Sequence, residues 1–137
     1  MTELTDFTED EISQVQEYIE ANASHSLLSK TDLLTESPIE KTRIFVSVFR
    51  VLLSARNYSD KKLRKKLDSI LSPVQDVYYR LYNLYSLYSV TSVNISNNDY
   101  INEMTMILTE KENIFSINKC IDVFIAFTEG VEISREE

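Results

Sequence analysis

The sequence predicts an all-α fold of about six helices, and three observations support this. Glycine occurs once (Gly130) and proline twice (Pro38, Pro73), which leaves few of the tight turns that hairpins and barrels need. Apolar residues recur three and four positions apart through most of the chain, the spacing of one helix face. Serine, threonine and proline stand just ahead of these runs, often with an acidic or amide residue three positions on, which is how helices begin.

Taken in order, Thr8 and Glu11 form a capping box, with Phe7 and Ile12 placed as the hydrophobic staple beside it. The helix that follows spans roughly residues 9–23, with Ile12, Val15 and Ile19 as its apolar stripe and Tyr18 at the edge. Glu9, Asp10 and Glu11 suit the positive end of its dipole. In the next link Leu27, Leu28, Leu33 and Leu34 are expected to pack down as one or two short turns. Ser37, Pro38 and Glu40 open a second helix over 38–56. Ile39, Phe45, Val46, Phe49, Leu52 and Leu53 fill one of its sides. Ile44, Val48, Val51 and Ala55 fill much of the other, leaving a polar strip with Arg43 and Arg50. A helix apolar around most of its circumference must be covered from several directions, so this one is predicted to be central.

Ser59 is expected to cap a third helix, 60–71, whose apolar face is Leu63, Leu67, Ile70 and Leu71. Ser72, Pro73 and Gln75 read as a stop followed by another capping box, opening a fourth helix over 73–89. Its inward face is Val74, Val77, Tyr78, Leu81, Leu84, Tyr85 and Tyr88. A polar break at 94–98 precedes a fifth helix, 98–110, with Tyr100, Ile101, Met104, Ile107 and Leu108. A sixth, 115–129, carries Ile117, Cys120, Ile121, Phe124 and Phe127, and Gly130 stands where a C-cap glycine belongs. One domain over 1–130 and a flexible acidic tail over 131–137 follow from this division. The heavier helices start roughly 35 and 42 residues apart, which favours stacked helical hairpins of the HEAT type slightly over a compact helical bundle.

Composition narrows the function. An apolar fraction of 43% is that of a globular protein, while 14 Lys+Arg against 22 Asp+Glu give a net charge of −8. Such a charge favours solubility and opposes nucleic acid and anionic membranes at long range. No apolar run is long enough to span a bilayer, and the polar, acidic opening residues do not read as a secretory signal. The lone cysteine, Cys120, fits a reducing compartment, so a cytoplasmic or nuclear location is expected. Glycine-lined phosphate loops are excluded by the glycine count. His25 is the only histidine, and Cys120 falls on an apolar helix face, so neither a zinc site nor a nucleophile–base pair is indicated. Asn97, Asn98 and Asp99 resemble the start of a calcium loop, but the glycine and final glutamate that such a loop requires are missing. No catalytic residue, cofactor or metal is predicted.

Two surfaces stand out. Five of the eight tyrosines lie in the fourth helix, and Tyr79 and Tyr82 fall roughly 100–160° around it from the middle of its apolar face. Leu87 flanks the opposite edge. Either neighbouring helices cover these residues or they are offered to a partner, since exposed tyrosine provides large contact area at low entropic cost. The second surface is the basic strip Arg56, Lys61, Lys62, Lys65 and Lys66, where local charge opposes the global charge. Its ordinary explanation is a solvated helix face, and its sharper one is a contact for RNA or for an acidic protein segment, with Tyr58 able to stack on a base in the RNA case.

Two segments also carry a resemblance. Asp6-Phe7-Thr8-Glu9-Asp10-Glu11 leading into Val15-Gln16-Glu17-Tyr18-Ile19, and Tyr79-Arg80-Leu81-Tyr82-Asn83-Leu84-Tyr85, resemble the N-terminal helical-repeat region of PCI-type scaffold subunits, the family that includes subunit m of eukaryotic translation initiation factor 3. The likeness covers about 25 residues, and residues 90–98 replace the arginine-containing helix the family places next. It implies a scaffold role and transfers no catalytic residue. The expectation is therefore a non-enzymatic protein–protein interaction module, a scaffold or adaptor whose partner is another protein or a second copy of itself. An RNA-associated helical protein is the alternative.

Overall fold

A computed structural model describes residues 6–23, 37–90 and 97–136. The link containing His25 and the four leucines lies outside the described residues. Among the described residues there are six α-helices and no strand: α1 (Glu9–Ala23), α2 (Pro38–Asn57), α3 (Lys61–Leu71), α4 (Gln75–Val90), α5 (Asn97–Thr109) and α6 (Lys111–Glu136), with a 3-10 turn, Ser72–Val74, between α3 and α4.

The local signals explain most of the helix starts. The Thr8 hydroxyl accepts from the Glu11 amide at 3.1 Å, and the Glu11 carboxylate accepts from the Thr8 amide at 2.9 Å, so the predicted box forms. Phe7 is buried, its ring edge-on to Phe127 with centroids 5.4 Å apart. The Ser37 hydroxyl caps α2 by accepting from the Glu40 amide, while the Glu40 carboxylate pairs with Arg43 at 2.8 Å. Three expectations are corrected. The cap of α3 is Asp60, whose carboxylate accepts from the Leu63 amide at 2.8 Å; the Ser59 hydroxyl instead donates to the Ala55 carbonyl. Ser72 makes no side-chain cap, because the backbone stays helical through the 3-10 turn, and Pro73 sits in its first positions. Gly130 is not a C-cap: it has no positive φ, and α6 runs through it to Glu136.

Helix α2 packs against every other α-helix, and α1 also packs against α6, bringing the two ends of the described chain together. A repeat stack holds its first and last helices apart, so the arrangement is the compact bundle, with α2 at its centre. Phe45, Val48, Leu52, Leu63, Leu67, Leu81, Met104 and Phe127 are among the side chains wholly removed from solvent. No helix among the described residues is long and apolar enough to cross a membrane.

Candidate interaction surface

The fourth helix positions the candidate surface by being covered on one side only. Val77, Tyr78 and Leu81 are buried, and Leu84, Tyr85 and Tyr88 are half-buried beside them. Around the outer side Tyr79 is 50% exposed, Tyr82 37% and Leu87 46%, so neighbouring helices leave all three accessible. Helical geometry places Tyr82 about 60° and Leu87 about 80° from Tyr79, on either side of it, with Leu87 about two turns further along the helix, so the two tyrosines form the tighter patch.

The tyrosine patch is the outer end of an aromatic ladder rooted in the core. Phe49 stacks on Tyr78 at 4.1 Å, and Tyr78 meets Tyr79 at 5.2 Å and Tyr82 at 5.9 Å. Burial pushes the Tyr78 phenol above its usual value of 10, and the nearby Arg50 opposes that shift. The Arg50 guanidinium lies 5.8 Å from the centre of the Tyr82 ring, in reach of a cation–π contact. A cleft of about 270 Å³ opens alongside, lined by Phe49, Leu53, Arg56, Asp68, Leu71 and Tyr79 among others. Its polar wall is a two-point ion pair, Arg56 Nε to Asp68 Oδ1 at 2.8 Å and Arg56 Nη2 to Asp68 Oδ2 at 3.2 Å. Arg50, Leu53 and the cleft are features that no single-helix pattern announces. The only sequence signal was that Arg50 interrupts the apolar circumference of α2.

Part of the basic strip is engaged within the fold. Arg56 is held by Asp68, and Lys66 Nζ is 2.6 Å from Glu11 Oε1, so two of the five cations already have internal counter-charges. Lys61, Lys62 and Lys65 are exposed. Tyr58, 81% exposed, stacks on Tyr18 of α1 at 5.8 Å. The Glu11 carboxyl is held below its usual value by the Lys66 hydrogen bond first and the Thr8 amide second. Cys120 is buried, and loss of hydration pushes its thiol up to about 12, which leaves it protonated and unreactive at neutral pH. No group of three or more histidine, cysteine or acidic residues suited to a metal ion occurs among the described residues. No family model matches the chain, and neither a curated protein nor a solved structure matches it.

Proposed function

We propose that the chain is a non-enzymatic protein–protein interaction module, a scaffold or adaptor subunit that offers the outer side of α4 to a protein partner. The observation behind this reading is the exposure of Tyr79 and Tyr82 on a helix whose other side is core. Interfaces draw their energy from a few aromatic and arginine anchors set in a polar rim, and here two tyrosines, Arg50 and a small cleft occur side by side. The resemblance of the Tyr79–Tyr85 segment to PCI-type scaffold subunits belongs with the same reading, as does a cytoplasmic or nuclear location. The test compares proteins co-purified with the wild type and with a Tyr79→Ala, Tyr82→Ala double variant in the native host. Selective loss of specific partners, with circular dichroism unchanged, is expected. Recovery of every partner by the folded variant removes this surface from consideration.

Exposed Tyr58, three and four residues ahead of exposed Lys61 and Lys62 in the sequence, favours one second reading, an RNA-associated protein. Phosphate contacts would make such binding fall steeply with salt. A mixed RNA pool that fails to bind even at low ionic strength dismisses it.

A further inference from the structure

Where α1 begins, α3 and α6 enclose a cleft of about 460 Å³ whose lining includes Phe7, Lys65, Lys66, Ile70, Lys119 and Val123. We propose that this cleft is a second binding site, sharing no residue with the tyrosine patch, and that it takes an acidic peptide segment carrying an apolar side chain.

Three lysines from two separate helices converge here, in a chain whose net charge is −8. Lys66 is bound to Glu11, whose carboxylate also accepts from the Thr8 amide, so that cation is neutralised within the fold. Lys65 and Lys119 are exposed, and neither forms an ion pair among the described residues. Asp6, itself exposed, is the one acidic residue among the described residues lining the cleft. Two lysines therefore remain for a carboxylate from outside, and surface charges of one sign in a concave site attract the opposite sign.

The floor says what else the ligand carries. Phe7, Ile70 and Val123 are core residues whose edges form the apolar part of the lining. A small inorganic anion would leave that floor in water, and the Ser69 hydroxyl at the rim is already donating to the Lys66 carbonyl at 2.7 Å. A segment with both carboxylates and an aliphatic side chain satisfies rim and floor together. The site also continues along α6: Phe115, Lys119 and Val123 are spaced by four and share one side of the helix, and Phe115 is 73% exposed. It supplies a second apolar contact one turn beyond the cleft.

The experiment is fluorescence anisotropy with a labelled peptide of alternating Glu and Leu. Alternating Lys and Leu, an all-Glu peptide and inorganic phosphate serve as comparisons. The Glu–Leu peptide is expected to bind best, with affinity reduced about three- to tenfold by Lys65→Glu or Lys119→Glu and further by the pair or by raised salt. Phe115→Ala should weaken it about threefold. Lys65→Gln with Lys119→Gln gives the same reading should charge reversal disturb the fold. The Tyr79→Ala, Tyr82→Ala variant is expected to bind the peptide as wild type does. The proposal is overturned by no binding up to about 1 mM, by binding that survives both lysine changes, by equal displacement with inorganic phosphate, or by loss of binding in the tyrosine variant.

Discussion

Helices α2 and α4 pack against each other and are both rich in aromatic and aliphatic residues, yet they do different work. In α2 the buried positions run from Thr42 to Ala55 and cover an arc of about 200°. In α4 the buried Val77, Tyr78 and Leu81 cover only about 100°, and the opposite arc still carries Tyr79, Tyr82 and Leu87. The apolar residues of the first helix fall within or just beside that wide arc, where neighbours cover them. One in the second has a neighbour only if it points inward. Hydrophobic content alone does not separate a folding residue from an available one; the width of the covered arc does.

That contrast is tested most severely by cavity mutations. Phe45→Ala, at the centre of α2, is expected to lower stability by about 3–5 kcal/mol, read from denaturant unfolding followed by circular dichroism. Leu81→Ala, on the inner face of α4, should cost about 2–5 kcal/mol, because its surroundings are equally closed. A small effect at Leu81 would mean that α4 is loosely held on both sides, and the comparison with α2 would fail.

How much of this was legible in the sequence depended on how local the deciding interaction is. The Thr8–Glu11 box lies within four residues and was read correctly, as was the central character of α2. Asp60 and Ser59 are both good caps, and only the register of Leu63 against the core decides between them. Gly130 reads as a stop, yet a glycine costs a helix only about 1 kcal/mol, and packing elsewhere in α6 outweighs that. The Lys66–Glu11 bond spans 55 residues and the cleft joins Lys65 to Lys119, pairings that no periodicity encodes. Exposure of Tyr79 and Tyr82 was likewise undecidable from α4 alone, since it depends on which neighbours arrive.

The next effect in size belongs to the edge of the bundle, where α1 is tied to α3. Glu11→Gln keeps the reach-back acceptor but removes the charge opposite Lys66, and should cost about 1–2 kcal/mol at neutral pH. The carboxyl is held below its usual value of 4.5 in the folded chain, so the unfolded chain binds the proton first as the solution is acidified. The stabilisation is complete above the usual glutamate range and is lost as pH falls through the lower, folded value. Wild type and Glu11→Gln should therefore converge in stability on acidification, and parallel pH profiles would show that the pair contributes nothing. A smaller change of opposite sign is expected inside α2. The Thr42 hydroxyl is buried with no hydrogen-bond partner among the described residues, so Thr42→Val should raise stability by about 1 kcal/mol.

The smallest expected effect on folding is at Tyr79, and it discriminates most sharply between the two helices. Its ring touches Tyr78 from outside and is half in solvent, so truncation opens no cavity and strands no polar group. Tyr79→Ala should change stability by about 0.5 kcal/mol or less, within the range of ordinary surface substitutions. Tyr82→Ala gives up the Arg50 contact as well and should cost slightly more. If Tyr79→Ala instead lowers the unfolding midpoint as far as Leu81→Ala does, the outer arc of α4 is part of the folding core. The tyrosines would then be structural, and a lost partner in the double variant would report damage to the fold rather than a vacated interface.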